Sequence, residues 1–268
     1  YEMHLRDLTK SPTSGVDESL RGTYLGACQE GTVNSHGDAT AFDYIRQLGV
    51  NVVQLQPISD RYKQYDEEGR VTYNWGYDVQ NHSAPETSFS TDPSNPKRTM
   101  KELKTMIRAY HEAGISVVID VVYNHTYSTE HGPFQNTVPD YYYRMEPDGR
   151  FQNGTGVGNE TASEHEMYRK YMIDSLTHWV KEYQIDGFRF DLMGIHDVTT
   201  MNAIREAMDA LDPRILLYGE GWDMGTGLAP EDKAKKDNAA QLPRIGFFND
   251  TERDAIKGAE VYGSIKRG

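Results

Sequence analysis

Two short runs hold the residues with the clearest chemical potential: IDGFRFD at 185–191 and LYGEGW at 217–222. Each reads as a buried strand ending in a carboxylate, Asp191 in the first and Glu220 in the second. Period-2 alternation puts Arg189 on the same strand face as Asp191, where a guanidinium would orient that carboxylate. An Arg-x-Asp inside an otherwise apolar strand is costly unless it works. Two carboxyl groups at neighbouring strand ends suit cleavage of a sugar acetal with retention. One ionised group attacks the anomeric carbon and one protonated group delivers a proton to the leaving oxygen. Retaining enzymes hold such groups ~5 to 5.5 Å apart, a spacing within reach if both strands share a rim. Glycine on both sides of Glu220 is expected to admit a ligand closely, and Trp222 to offer a stacking face.

DVVYNH at 120–125 ends a third apolar run with an acid, an amide and an imidazole. His125 is placed to donate to a sugar hydroxyl, with Asp120 and Asn124 bracing the rim. Calcium ligation by Asn124 stays open on oxygen chemistry, and no organic cofactor is implied. YNWGYD at 73–78 alternates aromatic and polar residues about a glycine, with Tyr77 placed to lie under a sugar ring. Glycosylation triplets begin at Asn124, Asn153 and Asn249 and are read as chance matches, since a glycan at the rim would block it.

Such residues need a scaffold that brings strand ends together. Strands are expected at 1–5, 51–55, 116–122, 187–192, 215–219 and 245–248, alternating with amphipathic segments in a βαβα pattern. Phe42, Ile45 and Leu48 share a helical face before Gly49, and Pro96 can open a second helix striped by Met100, Leu103, Ile107 and Tyr110. A third helix follows Thr161 or Ser163 and carries Tyr168, Met172, Leu176 and Trp179; a fourth carries Met201, Ile204, Met208 and Leu211 before Pro213. Asp120, Asp191, Glu220 and Asp250 all fall at strand ends, where a (β/α)8 TIM barrel builds its active site. The length fits one large α/β barrel or two ordinary domains. The expected class is α/β: an incomplete (β/α)8 TIM barrel over residues 1–268, covering about the first six units. An extended loop at about 126–162 is expected to form a lid or cleft wall. The last two units and any accessory domains are expected to be absent. A missing C-terminal segment or another chain would complete the barrel, and the 268-residue piece alone is expected to be inactive.

A formal net charge of −13 argues against a nucleic-acid partner. No apolar run approaches the roughly 18 to 20 residues needed to cross a bilayer, so no membrane partner is expected and the cellular compartment is left open. Cys28 is the only cysteine, which excludes an internal disulfide or a cysteine-based zinc cluster. Eighteen tyrosines and three tryptophans against eight phenylalanines favour rings with a polar handle, as a hydrated ligand would need.

Taken together, DVVYNH, GFRFDLM and GEGW resemble the first three signature regions of the α-amylase superfamily, glycoside hydrolase family 13. With YNWGYD, DLMGIHD and FFND in the same order, the chain is similar to type I pullulanases, which cut α-1,6 links in pullulan and branched starch or glycogen. By position the resemblance implies Asp191 as nucleophile and Glu220 as general acid/base. It implies Arg189, His125 and Tyr77 as lining the subsite where the bond breaks, Trp222 following the acid, and His196 as a substrate contact. It also implies an α-glucan substrate and no organic cofactor. Val79 stands where pullulanases commonly have proline. The family's fourth region, a His-Asp pair after the seventh strand, is not located, and Asp250 is no substitute. The rival readings are isoamylase, α-amylase or branching specificity, a non-catalytic glucan-binding barrel, and a magnesium enzyme using Asp120, Asp191 and Glu220.

Overall fold

The computed structural model describes residues 1–258. Its elements run β1 (Glu2–Met3), α1 (Ala41–Leu48), β2 (Val52–Leu55), β3 (Ser59–Arg61), β4 (Val79–Pro85), α2 (Pro96–Glu112), β5 (Ser116–Val121), α3 (Pro133–Thr137), α4 (Glu166–Tyr183), β6 (Gly187–Phe190), α5 (Val198–Leu211), β7 (Leu216–Gly219), β8 (Gly246–Phe247) and α6 (Asp250–Lys257). All six strands expected from the apolar runs join one parallel sheet in the order β1-β2-β5-β6-β7-β8. The order never reverses, so the sheet winds in one direction as a barrel does, without the switch point of a doubly wound fold. The described residues form an open part of a (β/α)8 barrel.

Burial on both faces gives β5 and β6 their apolar continuity. Val117, Val118, Ile119, Phe188 and Phe190 are all fully buried. The helices close over the sheet with the stripes their sequences carry. In α4, Tyr168, Met172, Leu176 and Trp179 lie on one face and are buried. In α2, Leu103, Ile107 and Tyr110 are buried while Met100 is partly exposed. Leu48 departs from the expected stripe, being exposed at the end of α1 just before Gly49 turns left-handed. The third helix starts later than expected, with His165 at its N-cap. Ser163 instead hydrogen-bonds both the N–H and the carboxylate of Asp197, which itself caps α5 through the Thr200 N–H.

Register explains how the rim forms. Asp120 on β5 lies opposite Arg189 on β6, and Arg189 lies opposite Tyr218 on β7. Two residues further along each strand, on the same face, come Asp191 and Glu220. Parallel strands therefore deliver the carboxylates to one end of the sheet.

Two features had no signal in the apolar pattern. The antiparallel pair β3–β4 grows out of the end of β2 and holds the 73–78 segment in its connection. Segment 126–162 contains α3 and is built into the fold by buried polar contacts. Arg144 donates to Glu160 at 3.2 Å, to the Ile195 carbonyl at 2.9 Å and to the Thr226 hydroxyl at 2.7 Å, and pairs with Glu164 at 2.7 Å. Asn159 exchanges two hydrogen bonds with the Thr126 backbone. The segment is thus packed into the fold and tied through Thr226 to the loop that follows Glu220. Among the described residues no helix is long and apolar enough to cross a membrane.

Candidate active site

The Arg189 guanidinium organises the rim. Its Nη1 lies 3.0 Å from both oxygens of Asp120 and 2.9 Å from Asp191 Oδ1, and its Nη2 lies 2.7 Å from Glu220 Oε1. One planar cation therefore bridges three carboxylates, and both carboxylates singled out in the sequence lie within the span of a single guanidinium. Phe248 lies across it, with the Arg189 carbon 5.6 Å from the ring centre. Burial opposes the charge on Arg189, but Asp120, Glu220 and Asp191 outweigh it and hold its pKa above the usual guanidinium range.

Three carboxylates around one cation leave excess negative charge in a poorly solvated place, so the most buried of them resists ionisation. That group is Asp120, with no exposed surface. Burial pushes its carboxyl up to about 8 against the pull of Arg189, with Asp191 adding to the rise. Tyr77 donates its hydroxyl to Asp120 Oδ2 at 2.9 Å. Burial and then the charge of Asp120 raise the phenol, which stays a donor.

Asp191 and Glu220 are the partly open members, with side chains 13% and 20% exposed against none for Asp120. Asn124 Nδ2 donates to Asp191 Oδ2 at 2.8 Å while Arg189 holds Oδ1, so both oxygens are oriented. Asn124 Oδ1 faces His125 Nδ1 at 2.6 Å, which makes that nitrogen the donor. The Asn124 oxygen considered for calcium is thus occupied by a hydrogen bond. The magnesium reading meets a similar obstacle, because Arg189 fills the position a cation would take among Asp120, Asp191 and Glu220. Burial lowers His125, against the opposing charges of Asp191 and Asp78.

Glu220 is positioned through backbone strain nearby. Leu192, immediately after Asp191, is held at φ 43°, in the left-handed region that costs a non-glycine residue of order 1–3 kcal/mol. In that conformation its N–H reaches Glu220 Oε2 at 3.0 Å. The turn that follows sits against the backbone beyond Glu220, and a Cβ at Gly194 would lie 1.9 Å from the Trp222 carbonyl oxygen. The glycines flanking Glu220 serve packing rather than ligand access. A Cβ at Gly219 would meet the Phe190 carbonyl at 2.6 Å, and one at Gly221 would meet the Phe247 ring at 2.3 Å.

The structure brings together Tyr77, His125, Arg189, Asp191 and Glu220. Trp222 is partly buried beside them, with the Lys236 ammonium 5.3 Å from its ring centre and Lys236 in turn held by Asp250. His196 does not join them. Leu192 and the turn Met193–Ile195 carry its ring inward to full burial, where neither nitrogen has a hydrogen-bond partner. A substrate contact by His196 is therefore corrected to a buried position near Arg144 and Asp197. Leu192 and Phe248 were not singled out as site residues from the sequence. Backbone strain at Leu192 leaves no mark in residue type, and Phe248 reads simply as the end of an apolar strand.

The buried histidines make acid stability testable. Burial, helped by Arg144, lowers His196 to about 3, and burial lowers His82 to about 4. Unfolded, both bind a proton near 6.5, so the unfolded state holds more protons between that pH and the folded values. Stability is full above pH 6.5 and falls as pH drops through that window, by up to about 1.4 kcal/mol per pH unit for each histidine. His196→Leu loses no hydrogen bond and should flatten the slope. Urea midpoints measured from pH 4 to 7 check this, and an unchanged slope in the variant would count against it.

Comparison with known proteins places these features in a family context. The family described as alpha amylase, catalytic domain, matches residues 29–160. A pullulanase of Bacillus subtilis is 44% identical over 258 residues, covering 96% of this chain and 36% of that protein. The crystal structure of a pullulanase from Paenibacillus barengoltzii, in complex with maltohexaose and α-cyclodextrin, is 51% identical and superposes with a TM-score of 0.92 over 96% of this chain and 40% of that one. A pullulanase from Anoxybacillus sp. LM18-11 complexed with maltotetraose is 49% identical, with a TM-score of 0.92 over 97% of this chain and 38% of that one. The chain thus spans between a third and a half of the length of these relatives.

Proposed function

Since the chain belongs to the pullulanases of the α-amylase family, we propose that it supplies the catalytic carboxylates of a retaining glycoside hydrolase that cuts α-1,6-glucosidic branch links in pullulan and branched starch or glycogen. The observation that carries this reading is the shared grip of Arg189 on Asp191 and Glu220 at the strand-end rim.

In the first step Asp191 attacks the anomeric carbon while Glu220 protonates the departing glycosidic oxygen. The C–O bond breaks and a glycosyl ester forms on Asp191. In the second step Glu220, now ionised, takes a proton from water, whose oxygen displaces Asp191 from the sugar. Arg189 and Asn124 hold Asp191 on line for both steps. Tyr77 contributes a ring face for the sugar in the cleaved position, and neutral His125, whose Nδ1–H is given to Asn124, contributes Nε2 as an acceptor for a sugar hydroxyl. An α-glucan partner is supported by the malto-oligosaccharides bound in the related crystal structures.

The reading is tested by linkage. The whole enzyme is incubated side by side with pullulan, glycogen and amylose, and the products are analysed by chromatography and by NMR of the released anomer. Maltotriose from pullulan with initial retention of configuration is expected. Attack on amylose alone would indicate an α-amylase, glycogen without pullulan would indicate an isoamylase, and binding without turnover a non-catalytic barrel.

A further inference from the structure

Away from the carboxylate rim, the start of the chain, the β3–β4 connection and the turn after β4 enclose a cavity of about 1000 Å³. Its charge is unusual for a chain of formal net charge −13. Arg6, Lys10, Arg21, Arg61, Lys63 and Arg70 line it, against Asp66 as the lining carboxylate.

Half of these cations are answered at close range. Arg70 pairs with Asp66 at 2.8 Å, Lys63 with Asp60 at 2.6 Å and Glu86 at 3.2 Å, and Arg6 with Asp7 at 3.3 Å. Lys10 and Arg21 have no carboxylate partner among the described residues; Arg21 donates from Nε to the Val16 carbonyl at 3.0 Å. Arg61 is the informative one, because its residue is only 2% exposed and its Nε and Nη1 are enclosed by protein without a hydrogen-bond partner, leaving Nη2 to face the cavity. The carboxylate nearest to it, Glu86 Oε2, stands 4.0 Å from Nε and is already shared with Lys63. A buried guanidinium whose charge is met only by a distant, shared carboxylate is expensive to maintain unless an anion offsets it. The walls also carry two exposed rings, Tyr65 and Tyr73, that suit the face of a sugar. The volume sits at the upper end of small-molecule sites, roughly 300–1,000 Å³.

We propose that this cavity binds the phosphate monoester of a sugar. The dianion lies against Arg61, with Lys10 and Arg21 completing its charge, and the sugar ring packs on a tyrosine face. Arginine suits this role because its guanidinium stays charged even when buried. The site is separate from the rim and does not depend on the activity assigned there.

Calorimetric titration of the whole protein with glucose 6-phosphate, inorganic phosphate and glucose tests it, with maltohexaose present at saturation to occupy the rim. Glucose 6-phosphate is expected to bind at least about tenfold tighter than inorganic phosphate, with no saturable binding of glucose. Because Arg61 is buried and its loss can perturb folding, the test variant is Lys10→Glu/Arg21→Glu, which alters more exposed positions. It should weaken glucose 6-phosphate at least about tenfold with an unchanged unfolding midpoint. Absence of saturable glucose 6-phosphate binding, survival of that binding in the variant, or inorganic phosphate binding as tightly as the ester would each overturn the proposal.

Discussion

On the proposed mechanism, Asp191→Asn in the whole enzyme is expected to lower turnover of an α-glucan by roughly 10⁵-fold, which is about 7 kcal/mol of barrier. The amide has the shape of the carboxylate but not its nucleophilicity, so the ester step is lost; its NH2 also forfeits one of the two bonds that Asp191 accepts from Arg189 and Asn124. Arg189 keeps its contacts with Asp120 and Glu220, and Asn124 remains beside residue 191. Affinity for a malto-oligosaccharide should accordingly change by only a few-fold. Mass spectrometry of enzyme quenched during turnover of a fluorinated sugar substrate should find a glycosyl adduct on the parent and none on the variant. A rate near that of the parent would remove Asp191 from its assigned role.

Glu220→Gln should lose about 10² to 10⁴-fold on natural glucans, the usual reach of a positioned acid and base. The loss should depend on the leaving group. With an activated aryl glycoside the departing oxygen needs no proton, so formation of the ester stays fast and only its hydrolysis suffers. A burst of phenol followed by slow turnover is the expected trace. Glutamine can still accept the Leu192 N–H that holds Glu220 Oε2, but its NH2 then faces Arg189 Nη2, so part of the loss common to both substrates is positional and the leaving-group dependence isolates the chemical part. Equal losses on activated and natural substrates would show that Glu220 acts in some other way.

Both predictions concern residues that could be read from the chain alone, and the reason is local periodicity. Arg189 and Asp191 share a face because side chains alternate along any strand, and the apolar runs around them are long enough to declare buried strands. The same logic found all six strands of the sheet. It failed for the β3–β4 pair because Ser59–Arg61 is short and charged, while VQNHSAP neither alternates nor avoids proline. That pair is held by long-range contacts instead. His82 meets the Val122 carbonyl at 2.9 Å and the Tyr171 hydroxyl at 3.0 Å.

By itself the amino-acid order determined the strands and most of the helices, the strand-end position of the acids, and the family to which their motifs point. Only the tertiary structure decided that Asp120, Asp191 and Glu220 close on one guanidinium, that a strained Leu192 hands its N–H to Glu220, and that His196 turns inward. It also decided that the glycines beside Glu220 answer to Phe190 and Phe247. The physical reason is range. Periodicity and turn chemistry act between neighbours in the chain, whereas convergence at a rim depends on how strands from separate units register against one another and on which backbone strain that packing sustains.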